Sequence, residues 1–121
     1  MGTLRSVTLL LGIVFLVLGI GAYVPLLAKD GMVFGFFAVD TMHNIIHLVV
    51  GAIGVYACTR EDYAKLFYRV FGVIFAVIAI LGFWKGADLY MIHPNSADNF
   101  FHLIVGIVGL YYGYYFNKKT E

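Results

Sequence analysis

Two pairs of ionisable side chains fall at helical spacing in the two halves of the chain. His43 and His47 are four residues apart, hence one above the other on a helix, and Asp98 and His102 repeat the spacing. Asn44 and Asn99 follow the first member of each pair, and Asp40 lies just upstream. Imidazole and carboxylate at i, i+4 on two facing helices supply three or four ligands to a tetrahedral divalent ion such as zinc. Read this way, the metal set is His43, His47, Asp98 and His102, with Asp40, Asn44 and Asn99 as supporting polar groups. Against it, the positive ends of the two helices repel a cation. The same residues suit two other chemistries. His43 and Asp98 are complementary and, with the asparagines and remaining histidines, can form an interhelical hydrogen-bonded clasp. Haem b is a third reading, because His47 and His102 sit at equal depth as axial ligands would, with neighbouring glycines making room for a porphyrin. His93, before Pro94, has no counterpart in the other half and reads as a loop residue.

The elements that position these residues follow from composition. Of 121 residues, 62% are hydrophobic and 12% charged, far from the balance of a soluble domain. A soluble fold of this length cannot hide so much apolar surface; a bilayer can. The net charge of +1 gives no nucleic-acid footprint. The lone Cys58 excludes an intrachain disulfide and reads as a small apolar residue near a helix end. Four apolar stretches, Thr3–Ala28, Met42–Cys58, Leu66–Trp84 and Ala97–Phe116, are each near the length of a membrane-crossing helix. The second is short, so it either tilts little or is extended by Phe34–Val39. The first does not read as a secretory signal, having no basic flank beyond Arg5 and no cleavage site. Arg5, Arg60, Lys65, Arg69, Lys118 and Lys119 lie at the termini and central loop, with only Lys29 and Lys85 opposite. The positive-inside rule therefore predicts cytoplasmic termini, with the connections 29–41 and 85–96 outside.

The chain reads as a tandem duplication of a two-helix unit, one copy over about 3–59 and the other over about 63–117. Asn44-Ile-Ile-His47-Leu-Val-Val-Gly51-Ala-Ile-Gly54-Val-Tyr56 recurs 55 residues later as Asn99-Phe-Phe-His102-Leu-Ile-Val-Gly106-Ile-Val-Gly109-Leu-Tyr111. Gly12-Ile-Val-Phe15 recurs as Gly72-Val-Ile-Phe75 at an offset of 60. Two helices per copy predict a pseudo-two-fold axis along the membrane normal. His47, Gly51 and Gly54 share one helix face, as do His102, Gly106 and Gly109, so the histidine faces should turn into the bundle where glycines let backbones approach. Thr41-x-x-Asn44 and Ser96-x-x-Asn99 read as weak capping boxes with the hydroxyls as N-caps. Arg60-Glu61-Asp62 with Lys65 reads as a solvated turn, and Tyr111, Tyr112, Tyr114 and Tyr115 as an interfacial aromatic belt. No nucleophile–base pairing or phosphate loop is recognisable, so no enzymatic role is expected.

The segments His43-Asn44-Ile-Ile-His47-Leu48 and Ala97-Asp98-Asn99-Phe-Phe-His102-Leu103, with Arg69 and Gly72 opening the third helix, resemble a family of small bacterial four-helix membrane proteins. That family is catalogued as domain of unknown function 4383, and the resemblance covers roughly Arg5 to Tyr115. It implies the four-helix architecture and a bacterial origin, and carries no activity; Val39-Asp40 departs from the Val-Asn-like turn the pattern implies. The expectation is a multi-pass protein of the bacterial inner membrane, all-α, whose cluster between helices two and four is a divalent-metal or transport site. The runner-up is an accessory subunit of a larger membrane complex with the cluster as a clasp; haem b comes third. The lipid bilayer is the expected partner, nucleic acid is not, and homo-oligomerisation is left open.

Overall fold

Apolar runs set where the helices of this chain form; proline, glycine and capping residues set where they stop. The computed structural model describes residues 2–30, 32–35, 37–38, 41–85 and 95–116. It is helical, with α1 (Thr3–Gly21), α2 (Thr41–Ala57), α3 (Glu61–Lys85) and α4 (Ser96–Leu110), the last continuing into a π-helical stretch, Tyr111–Tyr115. By length and composition α1 and the Glu61–Trp84 part of α3 are apolar enough to cross a membrane. The helix α1 ends well before Ala28. Pro25 has no N–H to continue the ladder and pushes the residue before it out of helical geometry. The helix α3 starts earlier than the apolar run, because Glu61 and Asp62 form its first turn rather than a loop. Carboxylates there complement the positive helix end.

Phe34, Phe37 and Ala38 do not prolong α2; Phe36 and Val39 lie outside the described residues. Strands β1 (Ala28–Lys29), β2 (Met32–Val33) and β3 (Phe37–Ala38) pair in order as a small antiparallel ribbon. Asp30, Phe34 and Gly35 take positive φ at its turns. Asp30-Gly31 between short apolar runs is a hairpin signal that the surrounding hydrophobicity concealed. The ribbon folds back on the end of α1: a Cβ at Gly21 would lie 3.1 Å from the Val33 Cγ2.

Two tight hairpins, α1–α2 and α3–α4, make up the body. In the first, a Cβ on Gly12 would lie 2.8 Å from the Val55 N and 3.1 Å from the Gly54 carbon. In the second, a Cβ on Gly72 would lie 2.7 Å from the Gly109 carbon and 2.8 Å from the Leu110 N. Gly51 meets Leu16 as Gly106 meets Ala76. Helix backbones touch at these points, and only glycine permits it. Positions at the offset of 60 are also buried alike: Leu4, Thr8, Gly12 and Phe15 in α1 match Ala64, Tyr68, Gly72 and Phe75 in α3. Between the hairpins Phe15 and Phe75 meet with ring centroids 5.1 Å apart, and both are fully buried.

At one end of the bundle basic side chains close the even helices. Arg5 Nε donates to the Cys58 carbonyl at 2.6 Å, Arg69 Nε to the Gly113 carbonyl at 2.7 Å, and Lys65 Nζ to the Phe116 carbonyl at 2.9 Å. A helix leaves its last carbonyls without partners, and cations there also suit the negative end of the dipole. The tyrosines expected as a belt lie in the π-helical stretch, where the Tyr114 hydroxyl donates to the Arg69 carbonyl at 3.3 Å. Lys118 and Lys119 lie outside the described residues.

Candidate metal centre

The histidines occupy the opposite end, where α2 and α4 begin. His43 and His47 stack along α2 with ring centroids 4.2 Å apart, as their spacing requires. His102 reaches them from α4, its ring centroid 5.3 Å from that of His43 and 6.0 Å from that of His47. All three are buried, exposed by 4% or less. One nitrogen from each lies within 4.8 Å of the others.

The closest approach is His43 Nε2 to His102 Nε2, 3.4 Å. That is long for a hydrogen bond donated by nitrogen, which runs at about 2.7–3.2 Å. It equals the edge of a tetrahedron built on zinc–nitrogen bonds of about 2.0–2.1 Å, whose ligand nitrogens stand about 3.4 Å apart. His47 Nε2 is buried with no hydrogen-bond partner among the described residues. An unsatisfied buried polar atom is costly, so such a nitrogen points to a missing partner such as a metal or a water.

Aromatic rings hold the imidazoles from below. Phe15 meets His47 edge-on at 5.2 Å, and Phe75 stacks on His102 at 5.4 Å with the planes 29° apart. Phe101 touches both His47 and His102 and is itself met by Phe37 of the ribbon at 5.6 Å. Phe15 and Phe75 escaped the reading of site residues, although their recurrence beside Gly12 and Gly72 marked them as equivalent positions.

Asp98 is fully buried one turn before His102, and it is not among the residues whose ligand atoms gather with the imidazoles. Its Oδ2 accepts from the Asn95 backbone N–H at 2.9 Å, while its own N–H donates to the Asn95 Oδ1 at 3.0 Å. The N-cap of α4 is therefore Asn95, with Asp98 completing a reciprocal capping box; Ser96 and Asn99 do not play those parts. An amide one residue earlier reaches the N3 N–H, which the serine at the first helical position does not. At α2 the first helical residue is Thr41, so it too is inside the helix rather than its cap. Asn44 and Asn99 are buried beside the histidines at 5% exposure each. A Cβ on Gly82 would overlap the Asn99 side-chain amide, so Gly82 makes room for it. Asp40, His93 and Pro94 lie outside the described residues.

The glycines thought to admit a porphyrin serve the helix seams. A Cβ on Gly51 would lie 2.7 Å from the Leu16 Cγ, and one on Gly106 would lie 2.8 Å from the Ala76 N. Neighbouring backbone and side chains fill the space a macrocycle needs. The geometry suits a small ion.

No curated protein and no solved structure matches the chain. A family model does match, over residues 5–115, which is almost all of it. The chain belongs to the family described as Domain of unknown function (DUF4383).

Proposed function

We propose that this chain is a four-span protein of the bacterial inner membrane that holds a divalent transition-metal ion, such as zinc, between α2 and α4 near the periplasmic face. In this reading both termini are cytoplasmic and the two hairpins descend from one duplicated unit. Three observations support the membrane setting. Large apolar side chains stand exposed on all four helices, among them Leu10, Ile13, Val49, Val77, Ile80 and Ile104. Arg5, Lys65 and Arg69 gather at the end away from the histidines, as the positive-inside rule expects of a cytoplasmic face. The matched burial of the two hairpins supports the duplication.

The metal reading is carried by one observation: three buried imidazoles on two helices with their nitrogens within 4.8 Å. Ionisable groups among membrane helices are expensive and mark ion pathways or ligand sites. The test is metal analysis of protein purified without added metal, then dialysed against zinc. Stoichiometric zinc that is lost in His47→Ala and His102→Ala is the expected result. The 3.4 Å contact between His43 and His102 also suits a weak clasp. That second reading, with the chain as an accessory subunit, predicts no bound metal and lower thermal stability in the same variants. For topology, Asp88→Cys in a Cys58→Ala background should label from outside intact cells; labelling only after lysis would reverse the orientation.

A further inference from the structure

Taking the metal reading as its basis, we infer that imidazole supplies the ion's ligands among the described residues, with solvent as the fourth, which selects a late first-row divalent ion, and that Asp98 supplies countercharge and position without being a ligand. The donor set comes first. His43, His47 and His102 offer neutral nitrogen, and no carboxylate among the described residues joins their group. Imidazole favours zinc, copper, nickel and cobalt, whereas magnesium, calcium and manganese demand oxygen donors. Cys58 lies at the far end of α2, where its Sγ donates to the Val55 carbonyl at 3.0 Å, so thiolate ligation is excluded too.

The Oδ2 of Asp98 is committed elsewhere. Its capping box with Asn95 draws the carboxylate toward the start of α4. Yet a divalent ion on three neutral rings leaves its full charge in a dry interior, beside helix N-termini that are themselves positive. Asp98, with no exposed surface, is the buried carboxylate at this end among the described residues. It offsets part of the ion's charge through space, and by fixing the first turn of α4 it fixes the height at which His102 meets His43. Asp98 is thus a positioning and charge-balancing residue.

The experiment is cobalt and zinc titration of the full chain in lipid nanodiscs, with Asp98→Asn and Asn95→Ala beside the wild type. Wild type should show the visible bands of tetrahedral cobalt and keep zinc against an excess of magnesium, calcium or manganese. Asp98→Asn should keep one ion and the same cobalt band positions while weakening affinity by about 10- to 100-fold, the range for groups outside the ligand shell. Asn95→Ala, which breaks the cap and leaves the carboxylate, should weaken it less. Circular dichroism checks that each variant is helical, and Asp98→Glu replaces Asp98→Asn if the latter does not fold, with the same band positions expected. Shifted cobalt bands or lost stoichiometry in folded Asp98 variants would make Asp98 a ligand and overturn this inference, leaving the metal site standing. Displacement of zinc by magnesium, calcium or manganese would overturn the selectivity. A wild type that binds neither cobalt nor zinc would instead end the metal reading itself.

Discussion

The α1–α2 and α3–α4 hairpins use the same contacts to hold together and bring different residues to the histidine cluster. Gly12 on Gly54 and Val55 has its equal in Gly72 on Gly109 and Leu110. Phe15 under His47 has its equal in Phe75 under His102. The match fails where His43 stands in one half and Asp98 in the other. Between α1 and α2 the first half carries the β1–β3 ribbon; residues 86–94, between α3 and α4, lie outside the described residues. The backbone seams tolerate no side chain, so both halves keep them. The mismatch at the helix starts leaves three imidazoles gathered together, with a buried carboxylate one turn before His102.

The largest expected effect tests the shared part. Gly12→Leu and Gly72→Leu should each destabilise the bundle by about 3 kcal/mol or more, since extra side-chain atoms meet backbone and cannot be absorbed. Thermal unfolding in detergent would read both, and a silent result for either would break the equivalence of the seams. The mismatch is tested by exchange. His43→Asp alone should weaken zinc binding roughly 100-fold or more, as expected when a metal-site group is lost. On the proposed duplication, which makes position 98 the equivalent of position 43, adding Asp98→His should recover at least about tenfold of that loss. Recovery will be incomplete, since Asp40 rather than asparagine precedes that turn of α2. No recovery would mean the halves do not present equivalent positions.

Smaller effects sharpen the differences between the hairpins. Asn95→Ala should cost about 1 kcal/mol in thermal stability, the usual worth of an N-cap. Hydrogen exchange should locate the loosening at the first turn of α4. Phe37→Leu removes one aromatic pair with Phe101 and should cost about 0.5 kcal/mol. An unchanged melting point together with unchanged zinc affinity would show the ribbon to be a passive connection.

Much of this was legible in the residues. The i, i+4 spacing of His43 and His47 dictates their stacking once α2 is helical. The glycine pattern at Gly51, Gly54, Gly106 and Gly109 marks the faces that meet. Local chemistry hid the rest. The cap went to Asn95 because an amide one position earlier has the better reach. The ribbon was masked by an apolar run in which Pro25 was the decisive residue and Asp30-Gly31 the turn signal.

The sequence by itself determined the number of helices, their apolar faces and the residues on each face, because these follow from periodicity and composition along one strand of chain. Only the tertiary structure decided that His43 meets His102 at 3.4 Å, that Phe15 and Phe75 form the floor, and that Asp98 turns to its own helix start. Those outcomes depend on the height and rotation of one hairpin against the other. Side-chain packing between the hairpins, with Phe15 against Phe75, sets both, and no local pattern encodes that distance.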